Sequence, residues 1–240
     1  MNTYLRVMEE PIASPSGAVD NAQSKEAPRL LRRSKQWNPE DFAEEQIRGL
    51  VRQLFILGAP RPARHVVFCP VAIYDCAPLC LKAAVALAIQ ITGTVGLVAP
   101  ARRDRREPNI ASEHKHSRAD FPSLRECSEQ LSTRLWHVPY EIFGTLSERQ
   151  SADWLEIIVK NLHLEFDYTI VDGPPTGLDT EAALLGRLSD GIVLVVEANS
   201  TRRAAAQIAK QNLRRCDARL LGSILVERTF PVPDVIYQRL

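Results

Sequence analysis

FDYTIVDGPP, residues 166–175, decides the fold. Tyr168 to Val171 form a short apolar, β-branched run that reads as a strand, and Asp172 ends it. Gly173-Pro174-Pro175 is expected to turn the chain sharply away from the sheet. Five more strand-like runs recur on either side: HVVFCPVA at 65–72, TVGLVA at 94–99, RLWHVP at 134–139, GIVLVVEA at 191–198 and RLLGSILV at 219–226. Several are apolar on both faces, as strands covered from both sides must be. Helical stretches between most of them supply parallel crossovers. The expected architecture is therefore α/β, a doubly wound, mainly parallel sheet with helices on both faces.

Upstream, Asn38 has the character of an N-cap and Pro39 suits the first helical position. Phe42, Ile47, Leu50, Val51, Leu54 and Phe55 then follow a helical period, so a helix is expected from about 39 to 55. Residues 1–36 mix Pro, Ser, Gly and charge without a period and are read as a flexible arm, leaving 37–240 as the domain. Residues 100 to about 130 form the least regular interior segment. They are read as a long surface loop with a helix near 122–131, and Arg102, Arg103, Arg105 and Arg106 make its densest basic patch. That patch is either a solvated loop or a contact for an acidic partner or membrane headgroups.

With 45% hydrophobic and 25% charged residues, the chain of 240 has the composition of a globular domain. Thirty basic residues against 29 acidic ones argue against broad electrostatic binding, so no nucleic-acid partner is expected. The five cysteines form no Cys-x-x-Cys pair, and Cys76 and Cys80, four apart, are read as packing residues rather than metal ligands. No apolar run reaches the roughly 18 to 20 residues that span a bilayer. Glu9 and Glu10 interrupt the apolar core that an export signal would need. A cytoplasmic location is expected, with peripheral attachment at the inner face of the plasma membrane compatible with it.

Beyond Asp172 the sequence becomes more specific. Pro174 and Pro175 precede a helix, Asp190-Gly191 opens a valine-rich strand, Thr201 starts another helix, and Leu221-Gly222 is followed by Leu225. This pattern resembles the bacterial tyrosine kinases of polysaccharide biosynthesis, relatives of the MinD and ParA group of P-loop ATPases. The resemblance covers roughly residues 40–240. It implies that a glycine-rich loop with Gly-Lys-Ser/Thr should follow the first strand, to wrap and neutralise the phosphates of magnesium-ATP. Here that stretch reads Ala72-Ile73-Tyr74-Asp75-Cys76-Ala77-Pro78-Leu79. It has no glycine, no lysine and no hydroxyl residue except Tyr74. Lys82 falls about one turn into the following helix.

Two further parts of the family's nucleotide site are also missing. The Asp-x-Asp after the second strand corresponds to Ala99-Pro100-Ala101, and the adenine-contacting Asn after the last strand corresponds to Val226-Glu227. The C-terminal tyrosine cluster of the active kinases is reduced to Tyr237, read as part of a last short helix. Asp172 and the loop positions Asp75, Cys76, Ala77 and Pro78 are thus vestigial nucleotide-site positions, and Asp172 is the residue that would hold magnesium if any is bound. No cofactor is expected, with Mg-ATP the ligand if the site still functions. The family's assembly motif Glu-x-x-Arg-x-x-Arg is echoed by Glu45, Arg48 and a displaced Arg52, which become the candidate partner-binding residues.

The expected function is a catalytically inactive, kinase-like regulator or scaffold of exopolysaccharide export. Its expected partner is the cytoplasmic part of a membrane polysaccharide co-polymerase or an active kinase relative, with homo-oligomers as a further possibility. An active ATP-dependent tyrosine autokinase and a MinD/ParA-like ATPase are the alternatives. Both need the charge that the loop lacks.

Overall fold

The computed structural model describes residues 39–58, 61–100, 123–144, 152–177 and 180–227. The N-terminal arm, the four arginines of the long loop and the segment after Glu227 lie outside them, as does Asn38. Helix α1 (Pro39–Val51) runs into a π-helical turn, Arg52–Ile56, so the expected helix persists to its end but widens in its last turn. There follow β1 (His65–Pro70), α2 (Ala77–Gln90), β2 (Val95–Ala99), β3 (Glu129–Ser132) and β4 (Leu135–Pro139). The second half comprises α3 (Ala152–Glu165), β5 (Tyr168–Asp172), α4 (Glu181–Leu188), β6 (Gly191–Glu197), α5 (Arg203–Arg215) and β7 (Leu220–Val226).

The strands form one sheet in the order β3-β4-β2-β5-β1-β6-β7. Every pairing is parallel except β3 with β4. The expected doubly wound sheet is therefore present, with an antiparallel strand at one edge. That edge corrects the helix expected near 122–131. Glu165, at the end of α3, accepts hydrogen bonds from Ser123 Oγ (2.8 Å), Leu124 N (2.8 Å) and Arg125 N (3.0 Å). With its first donors captured by a carboxylate 40 residues away, the segment folds as a turn and then pairs with β4.

Period-two alternation divides the core into two layers. Val66 and Phe68 of β1, Val95 and Leu97 of β2, and Val193 and Val195 of β6 pack under α1 and α2. Val67 and Cys69, Val98, and Ile192 and Leu194 face the opposite layer, beneath α3, α4 and α5. Gly96 serves a close approach, because a Cβ there would lie 2.9 Å from the Phe166 ring.

The amino-terminal edge is held by carboxylates. Asp190 Oδ2 accepts the N–H groups of Arg64 (2.7 Å) and His65 (2.9 Å), which starts β1 beside β6. Asp167 Oδ2 likewise accepts Thr94 N (2.8 Å) and Thr94 Oγ1 (2.9 Å), which starts β5 beside β2. Burial opposes the Asp190 charge, but these donors and the two neighbouring histidines hold its carboxyl below the ordinary range. His65 stacks on His163 at 3.7 Å and shares a hydrogen bond with Thr169 Oγ1, and burial lowers its pKa to about 4. It is a packing histidine.

Replacing Asp190 with Ala strands two N–H donors at the start of β1, and urea unfolding should record a loss of about 2–3 kcal/mol. A loss under about 0.5 kcal/mol would show that the clamp is dispensable.

Candidate functional site

In open parallel sheets, ligands bind beyond the carboxyl ends of the strands. Here that edge brings together the end of β5, the loop after β1 and the end of β7. The first surprise is the path of Gly173-Pro174-Pro175. Rather than turning away, the segment stays beside β1: Gly173 N donates to Phe68 O (2.8 Å) and Thr176 N donates to Pro70 O (2.8 Å). The turn comes only at Thr176-Gly177. A Cβ on Gly173 would sit 2.6 Å from Val67 Cγ1 and 2.7 Å from Cys69 Sγ, so no larger residue fits without displacing the core. On its other side β1 is fixed by Val71 N donating to Val195 O (3.0 Å).

Asp172 emerges at this point, half-buried, in register with Phe68 of β1. No described residue donates a hydrogen bond to its carboxylate. Burial, with a smaller contribution from Asp75, pushes it up to about 7. Cys69, Cys76 and Cys80 are buried around it, and their thiols are raised far above the ordinary range, by burial first and the Asp172 charge second. Among the described residues no group of three or more His, Cys, Asp or Glu side chains is arranged to hold a metal ion. The reading of Cys76 and Cys80 as packing residues agrees with their burial.

The loop after β1 presents exposed Ala72, Ile73 and Asp75 before α2 begins. Asp75 Oδ1 accepts the N–H of Ala77 (3.1 Å), and Pro78 in the next position has no N–H. Cys76 caps the helix by backbone geometry, without a side-chain bond. A carboxylate of the chain itself thus lies where a helix N-terminus would otherwise receive an anion. The one hydroxyl, Tyr74 Oη, donates instead to Glu227 Oε1 (3.2 Å), across to the end of β7. Glu227 has φ +54°, an uncommon conformation for a residue with a side chain. At the end of β2, Ala99 and Pro100 offer no carboxylate.

A triphosphate needs converging N–H donors and a cation. The described loop supplies Asp75, a proline and an engaged tyrosine, which do not fit one. Asp172 alone has the chemistry of a magnesium-water ligand. The groove of about 620 Å³ between α2 and the β3–β4 hairpin lies apart from these residues, lined by Leu81, Val85, Ile89 and Leu131 among others. Sequence reasoning singled out Asp172 and the loop positions, which the structure places at one edge of the sheet, and missed the Tyr74–Glu227 bridge beside them. The two residues are 153 positions apart and carry no shared pattern.

The other candidates sit on α1. Glu45, Arg48 and Arg52 are exposed; Arg48 pairs with Glu44 (3.3 Å) and Glu45 (3.1 Å), and Arg52 Nε donates to Gln90 Oε1 (2.9 Å).

The resemblance read from residues 166–226 is borne out by relatives in sequence and in structure. The tyrosine-protein kinase YwqD of Bacillus subtilis is 33% identical over 79 residues, 33% of each chain. The tyrosine-protein kinase CpsD of Streptococcus agalactiae is 39% identical over 67 residues, 28% of each chain. The match thus spans about a third of the length of these curated relatives. The BceF tyrosine kinase domain superposes with a TM-score of 0.59 at 21% identity, over 77% of each chain. The fold is that of the bacterial tyrosine kinase domains. No family model matches the chain.

Two outcomes follow from the site. The folded pKa of Asp172, about 7, exceeds the ordinary value of 3.8, so the folded state holds a proton that the unfolded state releases between those values. The resulting penalty is full above pH 7 and fades as pH falls. Asp172→Asn should therefore stabilise the fold at pH 8 by about 2–4 kcal/mol, shrinking toward zero near pH 4. Urea titrations at several pH values test this, and a destabilised or pH-independent variant contradicts it. Thiol labelling gives the second check: iodoacetamide should reach Cys127 and Cys216 in the native protein, and Cys69, Cys76 and Cys80 only in denaturant.

Proposed function

We propose that this chain is a catalytically inactive, tyrosine-kinase-like domain that regulates or scaffolds capsular or exopolysaccharide biosynthesis and export. Its partner would be the cytoplasmic part of a membrane co-polymerase or an active kinase relative. The observation that carries the reading is the loop after β1. Its Asp75 carboxylate engages the N–H of Ala77 at the start of α2, and no lysine stands between Val71 and Leu81. Phosphoryl transfer depends almost entirely on positioning and neutralising charge. A site whose nearest charges are Asp75 and Asp172 works against both. The exposed side of α1, with Glu45, Arg48 and Arg52, is the proposed docking surface; its charges are held by neighbours in one arrangement.

One observation favours the second reading, an active ATP-dependent autokinase. Asp172 keeps a carboxylate at the one strand end where magnesium is needed, at an energetic cost, with no described donor to satisfy it. Calorimetry with Mg-ATP separates the two. The scaffold reading expects no saturable heat up to about 1 mM nucleotide. Micromolar affinity that disappears in Asp172→Ala would overturn it in favour of the kinase.

A further inference from the structure

Two imidazoles meet face to face at the amino-terminal edge of the sheet. His65, the first residue of β1, and His163, in the last turn of α3, are both half-buried. Their rings stack at 3.7 Å with 24° between the planes. Four backbone bonds converge around His65. Asp190 Oδ2 accepts the N–H groups of Arg64 and His65, Arg64 O accepts Thr169 N (2.8 Å), and His65 O accepts Asp190 N (2.8 Å). Nδ1 of His65 lies 3.1 Å from Thr169 Oγ1 and shares a hydrogen bond with it. Rings stacked in this way carry their nitrogen lone pairs side by side, so the pair does not converge on a metal ion.

We propose that this stack is an acid-sensitive joint between α3 and β1, closed while both rings are neutral and opened by their protonation. Two cations in contact at 3.7 Å on a half-buried edge repel each other strongly. Every charged group around the pair takes a side. Burial opposes protonation of His65 most, the His163 ring and Arg64 oppose it further, and Asp190 and Asp167 favour it, leaving its pKa at about 4. Burial also lowers His163, against a smaller pull from Asp190. Both rings in the closed joint thus sit below the ordinary 6.5, and the open joint binds more protons as pH falls from 6.5 toward 4. Closure is full near neutrality and weakens by up to about tenfold per pH unit for each proton taken up. The movement is that of the His163 ring, not of its helix. Leu162 and Phe166, on either side of it, are each 1% exposed, and Glu165 keeps hold of Ser123, Leu124 and Arg125. A ring swung into water uncovers His65 and admits solvent to the backbone bonds that start β1. The joint lies at the opposite edge of the sheet from Asp172 and the loop after β1, so its behaviour is independent of nucleotide.

The test is amide hydrogen exchange of the full chain, followed by NMR as pH is lowered, with each rate divided by that of an unstructured amide at the same pH. The Thr169 and Asp190 amides should lose protection by about tenfold or more between about pH 6.5 and about pH 5. Gly173 and Thr176, bonded to Phe68 O and Pro70 O at the carboxyl edge, should lose none. H163F, which keeps a ring over His65 but takes no proton, should cut the loss several-fold. Titration of the imidazole C–H signals in the parent checks the pair without a variant: both rings should titrate below 6.5. An equal loss of protection in H163F, an equal loss at Gly173 and Thr176, or either ring titrating at 6.5 or above would each overturn the proposal. If H163F does not fold, the exchange and titration of the parent decide.

Discussion

The close approach of Gly173 to β1 sets the rest of the structure. At that point the chain leaving β5 lies so near Val67 and Cys69 that a single added carbon would overlap both. The Gly173 and Thr176 amides then bond the last carbonyls of β1, while Val71 bonds β6 on the other side. The carboxyl end of β1 is thereby fixed by packing and backbone bonding alone. A ligand is not needed to hold it. The glycine of Asp-Gly-Pro-Pro thus answers to the core, whatever the aspartate does.

Much of this was legible in advance, for a physical reason. Strands buried on both faces must be short apolar runs, and six such runs stand in the sequence between helical stretches. β3 was not legible. Glu129-Gln130-Leu131-Ser132 is exposed along its whole length and has no core face to pattern it. The segment before it has Leu124, Cys127 and Leu131 at helical spacing, which is compatible with the helix expected there. Glu165 overrides that spacing by taking the Leu124 and Arg125 amides. A long-range carboxylate of this kind leaves no local signature, and neither does the bond between Tyr74 and Glu227.

The carboxylates of the sheet divide by edge. At the amino-terminal edge, Asp167 and Asp190 each accept two donors from a neighbouring strand and are held below the ordinary range. Those charges are structural, and their loss would expose unpaired N–H groups. At the carboxyl edge Asp172 is raised to about 7, beside a second carboxylate and three buried thiols. Nothing described in the fold is stabilised by its charge. A neutral side chain of the same shape would satisfy every contact the structure shows, so packing does not explain the carboxylate of Asp172.

The loop after β1 shows the converse. A phosphate loop works because its N–H groups point inward with nothing else to bind, which costs stability until the anion arrives. Here the N–H of Ala77 has an acceptor supplied by Asp75, Pro78 removes the next one, and Tyr74 ties the loop across to Glu227. These contacts satisfy the loop from within the chain. Of residues 72–75, only Tyr74 packs against the core that runs through β1 and α2, while Ala72, Ile73 and Asp75 are exposed. Asp172 belongs to the strand by position, while its carboxylate serves no contact that the strand makes.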